Sequence, residues 1–363
     1  MINAYADIYG HSGYATHSRH FFKALNKIMP VCLMPKDGRI PERLDDELIQ
    51  MLQRLVEVDL NRVAINLDQT GFDLCRFTGK NKIVYTVFES TQIHPATLNV
   101  MKQMDQVWVP TQWGKATLAN LGIPDSQIRV VPEGVDVSVY NPHALPFDEI
   151  TARPGLKFLT VGKWETRKNF HTLLQAFDKA FDDQAQVTLV IHAFSKVKGL
   201  ANLDVEQEIK KIPLKHPERI LLIKADYTSN EEMARLYRSC DCYISASHAE
   251  GWGLPLLEAM ACGLPVISCS YSGPSEFLNE ENSLCFKEDG LEDVFCPVFF
   301  PNKGQHGKWA TVNENDLIDR MHFVQAEPHK VEALGQKAAA DAAQKWNWDL
   351  AAQKAAEILK SDF

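Results

Sequence analysis

The sequence predicts an α/β fold in which two doubly wound domains are joined by a linker. Strand-like apolar runs alternate with helical runs along most of the 363 residues, a pattern typical of parallel sheets covered by helices. A chain of this length exceeds one ordinary hydrophobic core, so two domains are expected. The stretch "NPHALPFDEITARPG" carries three prolines, a glycine and no clear period, which indicates a linker near the middle of the chain.

The first series of elements predicts a domain over residues 1–148. Its strand-like runs are "MINAYADIY", "RVAINL", "KIVYTVF", "QVWVPT" and "IRVVPEGV". Between them, "HSRHFFKALNKI" and "ERLDDELIQMLQRLVE" have helical spacing. The loop "YGHSGYATHSRHFFKAL" joins the first strand to the first helix.

The second series predicts a domain over residues 155–335. Its strands are expected in "LKFLTVGKW", "VTLVIHAF", "ERILLIKA", "CDCYISAS" and "LPVISCS", and its helices in "NFHTLLQAFDKAF", "NEEMARLYRSC" and "PLLEAMAC". Two such domains are expected to face each other across a cleft, with ligands at the carboxyl ends of the strands. The Ala-rich tail, 336–363, is predicted to be helical and to need a surface on which its tryptophans pack.

Composition and charge narrow the class of function. The 38 basic and 47 acidic residues give a net charge of −9, which argues against a non-specific polyanion binder. The start "MINAYADIYG" has neither a basic segment nor an apolar core, so no secretory signal is expected. The sequence contains no run of 18 apolar residues, so no membrane span is predicted and at most peripheral membrane contact is expected.

The eight cysteines contain no Cys-x-x-Cys pair and lie mostly in apolar runs. They are expected to be reduced, buried thiols of a cytoplasmic protein. The alternative is a metal site at Cys240 and Cys242, which share one face of a strand. No companion His/Cys pair has zinc spacing, so no metal is expected there.

The stretch "HAEGWGLPLLEAMACGLPVIS" contains the strongest candidates for a ligand-binding site. Glu250 follows a buried strand, a Gly-Trp-Gly turn leads to Pro255 at a helix start, and Gly263 supplies the helix stop. Backbone amides at a helix N-terminus beside flexible glycines form an anion site. Glu250 and Glu258 then suit hydroxyl groups on either side of a diphosphate, as in a nucleotide sugar. The alternative for Glu258 alone is an acid that complements the helix dipole.

Glu-x7-Glu in "EGWGLPLLEAMACGLPVI" resembles the nucleotide-sugar motif of retaining glycosyltransferases of family 4. The segments "VGKWETRKNFHTLLQAF", "YSGPSEFL", "VWVPTQWGKATLANLGIPDSQIRVVPEGVDVSVYNP", "HGKWATVNENDLIDRM" and "WNWDLAAQKAAEIL" resemble further parts of that family. Together they cover nearly the whole chain. The resemblance implies two Rossmann-like domains of the GT-B architecture, with the C-terminal helix packing back on the N-terminal domain.

By this resemblance, Lys163 and Lys168 match the basic pair that holds the donor diphosphate. They are expected to stabilise the departing nucleoside diphosphate, whereas Arg167 is expected to be a surface residue. The alternative for these lysines is an ordinary solvated loop. No Asp-x-Asp occurs, which favours leaving-group stabilisation without a metal or other cofactor.

The resemblance also assigns donor contacts on three loops. They comprise Glu258, Gly251, Trp252, Gly253 and Leu254 around the glutamate motif, Gly13 in the N-terminal loop, and Tyr227 and Thr228, beside Asp226, near the nucleotide base.

The acceptor side is assigned to the N-terminal loop, at Gly10, Ser12 and Tyr14. An ordinary tight turn is the alternative for this loop. Many family members have a histidine where this chain has Phe88. The following Glu89 is therefore expected to replace the lost hydroxyl contact or to face the acceptor.

We expect a metal-independent retaining hexosyltransferase that uses a UDP- or GDP-sugar and an acceptor hydroxyl on a glycan, a lipid-linked compound or another molecule. Glu250, Lys163, Lys168 and Glu89 are the predicted catalytic residues. A sugar-nucleotide epimerase or phosphorylase, and a non-catalytic sugar-nucleotide binder, share this architecture as alternatives. A transferase acting on hydroxylated DNA bases is a third, against which the net charge weighs.

Overall fold

The computed structural model describes residues 1–10, 12–36, 44–68, 79–194, 203–225, 227, 229–297, 300 and 302–363. The chain forms two compact units. The N-terminal unit comprises residues 1–136 and 345–363, and the C-terminal unit comprises residues 137–344.

The N-terminal unit is built on a six-stranded parallel sheet with the order β2-β1-β3-β4-β5-β6. Its strands are β1 (Ile2–Ala6), β2 (Val31–Pro35), β3 (Val63–Leu67), β4 (Asn81–Tyr85), β5 (Gln106–Val109) and β6 (Ile128–Val130). The helices between them are α1 (Gly13–Asn26), α2 (Asp46–Gln53), α3 (Pro95–Met101) and α4 (Gln112–Asn120). Apolar side chains of β4, β5, α3 and α4 form one core cluster of this unit.

The C-terminal unit holds a second six-stranded parallel sheet, with the order β12-β11-β10-β7-β8-β9. Its strands are β7 (Leu156–Lys163), β8 (Val187–Phe194), β9 (Ile220–Leu222), β10 (Cys242–Ile244), β11 (Val266–Cys269) and β12 (Leu284–Phe286), with an antiparallel pair β13 (Leu291–Asp293) and β14 (Lys308–Ala310). Its helices are α5 (Asp148–Thr151), α6 (Phe170–Ala180), α7 (Val205–Lys210), α8 (Asn230–Arg238), α9 (Leu254–Ala261), α10 (Glu314–Ala326) and α11 (Pro328–Lys345).

The strand orders locate the expected binding edges. The C-terminal sheet has the doubly wound order of dinucleotide-binding proteins, in which direction reverses between β7 and β10. The N-terminal sheet reverses between β1 and β3. Ligands of open α/β sheets bind at the carboxyl ends of the strands at such a reversal, so the loops after β7, β10 and β1 are the expected ligand-binding positions.

The last helix, α12 (Trp348–Asp362), belongs to the N-terminal unit, as predicted. Its Trp348 ring lies 5.4 Å from the His17 ring of α1. At its other end, Asp362 accepts hydrogen bonds from Arg129 and Gln106. The predicted α/β fold with two Rossmann-like units and a returning terminal helix is therefore confirmed.

The division of the chain differs in detail from the predicted boundaries at 148, 155 and 336. The C-terminal unit already begins at Val137 because this stretch packs on α8. The Phe147 amide, for example, donates a hydrogen bond to Ser239 Oγ at 2.7 Å, and the Phe147 ring stacks on Tyr227 at 5.2 Å. The predicted 336–363 tail is split, since α11 lies almost wholly in the C-terminal unit and only the stretch from Lys345 onward joins the N-terminal one.

Seven cysteines lie in the described part of the chain, all as free thiols, and six of them are buried. Cys75 lies outside the described residues. No helix of the described ranges is long and apolar enough to cross a membrane.

His17 is a buried titratable residue of the N-terminal unit. Its ring lies 4.6 Å from the Tyr85 ring, edge to face, and is 1% exposed. Burial, with a smaller effect of His20, lowers the pKa of His17 to about 3. An unfolded histidine has a pKa of about 6.5, so the unfolded chain binds more protons below that pH and stability falls as the pH drops.

We therefore expect His17→Phe to reduce the acid sensitivity of folding. Between about pH 7 and about pH 5, the free energy of unfolding of the wild type should fall relative to that of the variant by about 2 kcal/mol, at about 1.4 kcal/mol per pH unit. Denaturant titrations of both proteins at the two pH values measure this difference. A difference that does not change with pH would contradict the prediction.

Candidate active site

The loops after β7 and β10 meet at the reversal point of the C-terminal sheet. The β7 loop contains a short 3-10 turn at Thr166–Lys168, and the β10 loop carries Glu250. The His248 amide donates to the Arg167 carbonyl oxygen at 2.9 Å, so the two loops are tied together directly.

The Glu250 carboxylate is bound by two cations of the β7 loop. Lys168 Nζ donates to Glu250 Oε1 at 2.6 Å, and an Arg167 terminal nitrogen donates to Oε2 at 2.8 Å. The same nitrogen of Arg167 also donates to the Ala249 carbonyl at 2.6 Å, and its second terminal nitrogen donates to Glu165. Only 9% of the Glu250 side chain is exposed, so these charge-assisted bonds lie in a partly desolvated site.

Glu250 is ionised in this environment. Burial opposes ionisation of its carboxyl group, but the charges of Lys168 and Arg167 outweigh burial and lower its pKa to about 2. The group is therefore a fixed negative charge at neutral pH, with two positive charges within hydrogen-bond distance.

A turn after β11 supports the Glu250 backbone from behind. The Glu250 amide donates to Ser272 Oγ at 3.0 Å, and the Gly273 amide donates to the Glu250 carbonyl at 2.9 Å. Ser272 has φ 57°, a left-handed conformation that is unfavourable for serine and that clusters at functional sites. The "YSGPSEFL" segment thus positions the glutamate loop.

The N-terminus of α9 lies three residues beyond Glu250. Its N-cap is Gly253, with φ 104°, so no side chain caps the helix. Pro255 occupies the second helical position and has no amide hydrogen. The positive end of α9 is therefore open to an anion. Gly263 ends the helix with φ 80°, as its predicted role as helix stop requires.

Glu258 lies on the second turn of α9 and is half-buried. The Tyr237 hydroxyl donates to its Oε2 at 2.8 Å. The Tyr140 hydroxyl donates to Asn230 Oδ1 at 3.4 Å and lies close enough to lower the pKa of the Glu258 carboxyl group. Burial raises the pKa of Glu258 to about 7, and the two tyrosine hydroxyls partly offset the effect of burial. The two glutamates of the motif thus differ: one is firmly ionised and the other titrates near neutrality.

The remaining residues predicted to contact the donor differ in their burial and in their packing partners. Trp252 is 2% exposed with its ring 5.2 Å from Phe277, so its side chain is part of the interior. Tyr227 is half-buried and stacks on Phe147. Lys163 ends β7, is half-buried, and has no ion pair within the described ranges. Asp226 and Thr228 lie outside the described residues.

Gly251 and Gly253 are buried, and Leu254 begins α9. These residues present backbone rather than side-chain groups at the helix start. The predicted donor contact there is therefore a contact to main-chain amides.

The loop after β1 in the N-terminal unit carries the predicted acceptor residues. Ser12 caps α1, because its hydroxyl accepts from the Ala15 amide at 3.1 Å. Gly13 is the exposed first residue of that helix, and Gly10 is exposed with φ 81°. The Gly10 carbonyl accepts from Arg19 at 2.7 Å, which fixes the loop to its own helix.

Tyr14 joins this loop to the segment after β4. Its hydroxyl donates to the Val87 carbonyl. Burial, and then the nearby charge of Glu89, raise the pKa of Tyr14 well above its usual value. Tyr14 and the half-buried Glu89 are therefore neighbours, whereas Phe88 turns inward, 8% exposed, against Trp113 at 5.6 Å.

Arg167 corrects the expectation of a surface residue. Its side chain is 17% exposed and binds Glu250, Glu165 and a backbone carbonyl. The sequence could not reveal this, because the direction of each basic side chain in "ETRKN" depends on the 3-10 turn that the loop adopts. The supporting roles of Ser272, Tyr237 and Tyr140 also went unpredicted, since these residues are distant in sequence from the glutamates they bind.

No group of three or more His, Cys, Asp or Glu side chains that could hold a metal ion occurs in the part of the chain that the structure describes. Cys240 and Cys242 are buried free thiols whose pKa values burial raises.

Sequence comparison matches residues 147–293 to the model of the family "Glycosyl transferases group 1". A probable sucrose-phosphate synthase of Thermosipho melanesiensis is 28% identical over 157 residues, which cover 42% of this chain and 34% of the relative. A D-inositol 3-phosphate glycosyltransferase of Corynebacterium jeikeium is 32% identical over 155 residues, or 40% of this chain and 36% of the relative. The chain thus spans about a third of the length of these curated relatives.

Solved structures match over nearly the full chain. A sucrose-phosphate synthase from Thermosynechococcus elongatus superimposes with a TM-score of 0.70 at 18% identity, covering 99% of this chain and 98% of that one. The Anabaena protein HepE in complex with UDP-glucose gives a TM-score of 0.70 at 16% identity, covering 99% and 100%. At these identities the likeness shows the fold, which is GT-B.

Proposed function

We propose that this protein, which has a GT-B fold and whose residues 147–293 match the model of the glycosyl transferases of group 1, moves a hexose-type sugar from a nucleoside-diphosphate sugar to an acceptor hydroxyl. The observation that carries this proposal is the ionised Glu250, bound by Lys168 and Arg167 beside the uncapped N-terminus of α9. A buried acid, two cations and an open helix end match a ligand that carries hydroxyls next to a diphosphate.

The donor is a UDP- or GDP-sugar in this proposal. Its diphosphate binds at the α9 N-terminus and to Lys163 and Lys168, because helix amides and ammonium groups both attract phosphate. Its ribose hydroxyls bind Glu258. Tyr227, stacked on Phe147, lies after β9 and contacts the base. The UDP-glucose found with HepE is a compound of this class.

Transfer proceeds on one face of the sugar in this proposal, with retention of configuration. The bond between the sugar carbon and the diphosphate oxygen breaks while the acceptor oxygen forms its bond on the same face. The leaving phosphate takes the acceptor proton. Lys163, Lys168 and the α9 amides stabilise the negative charge that grows on the leaving group, without a metal ion. Glu250 stabilises the positive charge that grows on the sugar.

The acceptor binds the N-terminal unit, at Gly10, Ser12, Tyr14 and Glu89. The proximity of Tyr14 to Glu89 supports this assignment, because a phenol oxygen and a carboxylate can both accept hydrogen bonds from hydroxyl groups. The acceptor is a glycan, a lipid-linked compound or another hydroxyl compound. The free cysteines of the described ranges support work in a reducing compartment such as the cytoplasm.

Nucleotide binding tests the donor assignment. We expect one of UDP, GDP, ADP and dTDP to raise the melting temperature of the wild type by a few degrees, since a ligand at about a hundredfold excess over its Kd stabilises by about 2.7 kcal/mol. Glu258→Ala should lose most of that shift because the ribose loses its acceptor. Thermal unfolding with each nucleotide in turn measures both effects.

The same titration can refute the donor assignment. If no nucleotide stabilises the wild type, or if Glu258→Ala responds as strongly as the wild type, the ribose role of Glu258 is wrong. Product analysis then separates transfer from its alternatives. A transferase releases the nucleoside diphosphate faster when acceptor is added, whereas an epimerase converts the donor alone and a sensor leaves it intact.

A further inference from the structure

Two buried tyrosines hold the second glutamate of the motif from two different segments. Tyr237 of α8 is fully buried and donates to Glu258 Oε2 at 2.8 Å. Tyr140, 4% exposed, lies before α5; its hydroxyl donates to Asn230 Oδ1 at 3.4 Å and lies close enough to the same carboxyl group to lower its pKa. The two rings are 6.1 Å apart, edge to face. Tyr140 and Tyr237 together form the tyrosine pair.

The geometry leaves part of the Glu258 carboxylate available. An ionised carboxylate has about four acceptor positions, of which the Tyr237 hydroxyl occupies one. Glu258 is half-buried while Tyr237 is buried, so Tyr237 binds the inner side of the group. The remaining acceptor positions suit two hydroxyl groups, which is what a ribose presents through its 2′ and 3′ oxygens.

We propose that Tyr237 and Tyr140 are positioning residues that keep Glu258 ionised and oriented for the nucleotide ribose, and that this tyrosine pair sets the pH below which the donor is released. The proposal rests on the proposed function, in which Glu258 binds the ribose. It adds the residues that hold the carboxylate and the protonation state in which it binds.

Two opposing effects set the pKa of Glu258. Burial favours the neutral carboxyl and raises its pKa to about 7, while the hydroxyls of the tyrosine pair favour the charged form. Only the charged form accepts a hydrogen bond from each ribose hydroxyl through both of its oxygens. Donor affinity should therefore fall about tenfold per pH unit below the pKa of Glu258 and be constant above it.

The other titratable neighbours do not change charge in this range. Cys262 lies one turn further along α9, and burial raises the pKa of its thiol. Arg238 of α8 donates to the Cys262 carbonyl at 3.1 Å and stays charged. Tyr243 of β10 faces the same region, and burial raises its pKa as well. Glu258 is then the group that titrates.

Tyr237→Phe tests the proposal by its pH profile. Isothermal titration calorimetry with UDP-glucose and GDP-glucose, from about pH 5.5 to about pH 8.5, identifies the sugar nucleotide that the wild type binds. It also gives the midpoint, which is the pH at which the affinity is half of its value at high pH. Such diphosphates lack the phosphate monoester that titrates near pH 6, so the ligand adds no proton change of its own. We expect Tyr237→Phe to move the midpoint upward by about one pH unit and to weaken binding about fivefold at pH 7 and about tenfold below about pH 6, with affinities that converge at high pH. Tyr140→Phe should act in the same direction.

Tyr243→Phe is the matched control. It removes the same hydroxyl from an adjacent buried ring, 6.0 Å from Tyr237, but that hydroxyl donates to the Val161 carbonyl at 3.2 Å. Its midpoint should equal that of the wild type. If Tyr237→Phe also leaves the midpoint in place, the tyrosine pair is structural only and the proposal is wrong.

Glu258→Gln separates this proposal from the proposed function. It should bind weakly at every pH and show no midpoint, because glutamine does not titrate. Binding of Glu258→Gln at wild-type strength, or no binding of either sugar nucleotide to the wild type, would overturn the ribose role itself. If Glu258→Gln binds the donor weakly at every pH and Tyr237→Phe has the same midpoint as the wild type, only the role proposed for the tyrosine pair is overturned.

Discussion

Glu250→Gln should lower kcat for glycosyl transfer by about a hundred- to a thousandfold, which corresponds to about 3–4 kcal/mol of transition-state stabilisation. Glutamine keeps the size of the side chain and one acceptor oxygen. It removes the negative charge that is proposed to stabilise the positive charge growing on the sugar. The two cations bound to Glu250 remain, so the site becomes more positive. Binding of the nucleoside diphosphate should therefore be unchanged or tighter while turnover falls.

Initial rates at saturating donor, together with calorimetric affinities for the nucleotide, separate these two effects. Glu165→Gln is the comparison variant, because the Glu165 carboxylate binds the other terminal nitrogen of Arg167 at 2.7 Å, and no side-chain hydrogen bond or ion pair in the described structure joins that carboxylate to Lys168 or Glu250. It should lower turnover by no more than about tenfold. An active Glu250→Gln, or one whose loss of activity follows entirely from weaker nucleotide binding, would refute the role given to Glu250.

Most strands of the fold were predictable from sequence, including the three-residue strands β6, β9 and β10, but β2 and β12 were not. The eight-residue strands β7 and β8 lie in runs rich in apolar and β-branched residues, and the end of α9 follows from Gly263. In contrast, β2 has five residues, which directly follow Pro30 and end with Pro35, and β12 has three. Both runs are short, and they become strands because a neighbouring strand supplies the hydrogen bonds.

The site divides in a similar way. Glu250, Glu258 and Lys168 could be identified because local sequence places them at a strand end, a helix start and a basic loop. Arg167 and the tyrosine pair could not, since their roles depend on which distant segment each side chain meets. Trp252 lies in a loop rich in glycine, yet its ring faces the interior. Candidate ligand-binding residues are thus easier to propose from sequence than the residues that hold them in place.

Gly273→Ala should disable the site without changing any group proposed to touch the substrate. A Cβ atom at this position would lie 2.5 Å from the Trp252 carbonyl oxygen and 2.7 Å from that of Glu250. These are backbone atoms, so the two loops must separate, and the bonds from Gly273 to Glu250 and from Glu250 to Ser272 must lengthen. We expect transfer to fall about as far as in Glu250→Gln, with a loss of stability of about 2–4 kcal/mol.

Nucleotide affinity distinguishes the two variants, because displacement of this loop also moves the N-terminus of α9, which the proposed diphosphate needs. Gly273→Ala should therefore bind the nucleotide more weakly, whereas Glu250→Gln should not. Gly114→Ala is the matched control, since its Cβ atom would approach only side chains, the nearest being Thr111 Oγ1 at 3.1 Å, within α4 of the other unit. That control should stay within about 1 kcal/mol of the wild type in stability and retain activity. If Gly273→Ala remains as active as Gly114→Ala, then the turn after β11 does not position Glu250, and the loop must be held in place by Arg167 and Lys168 alone.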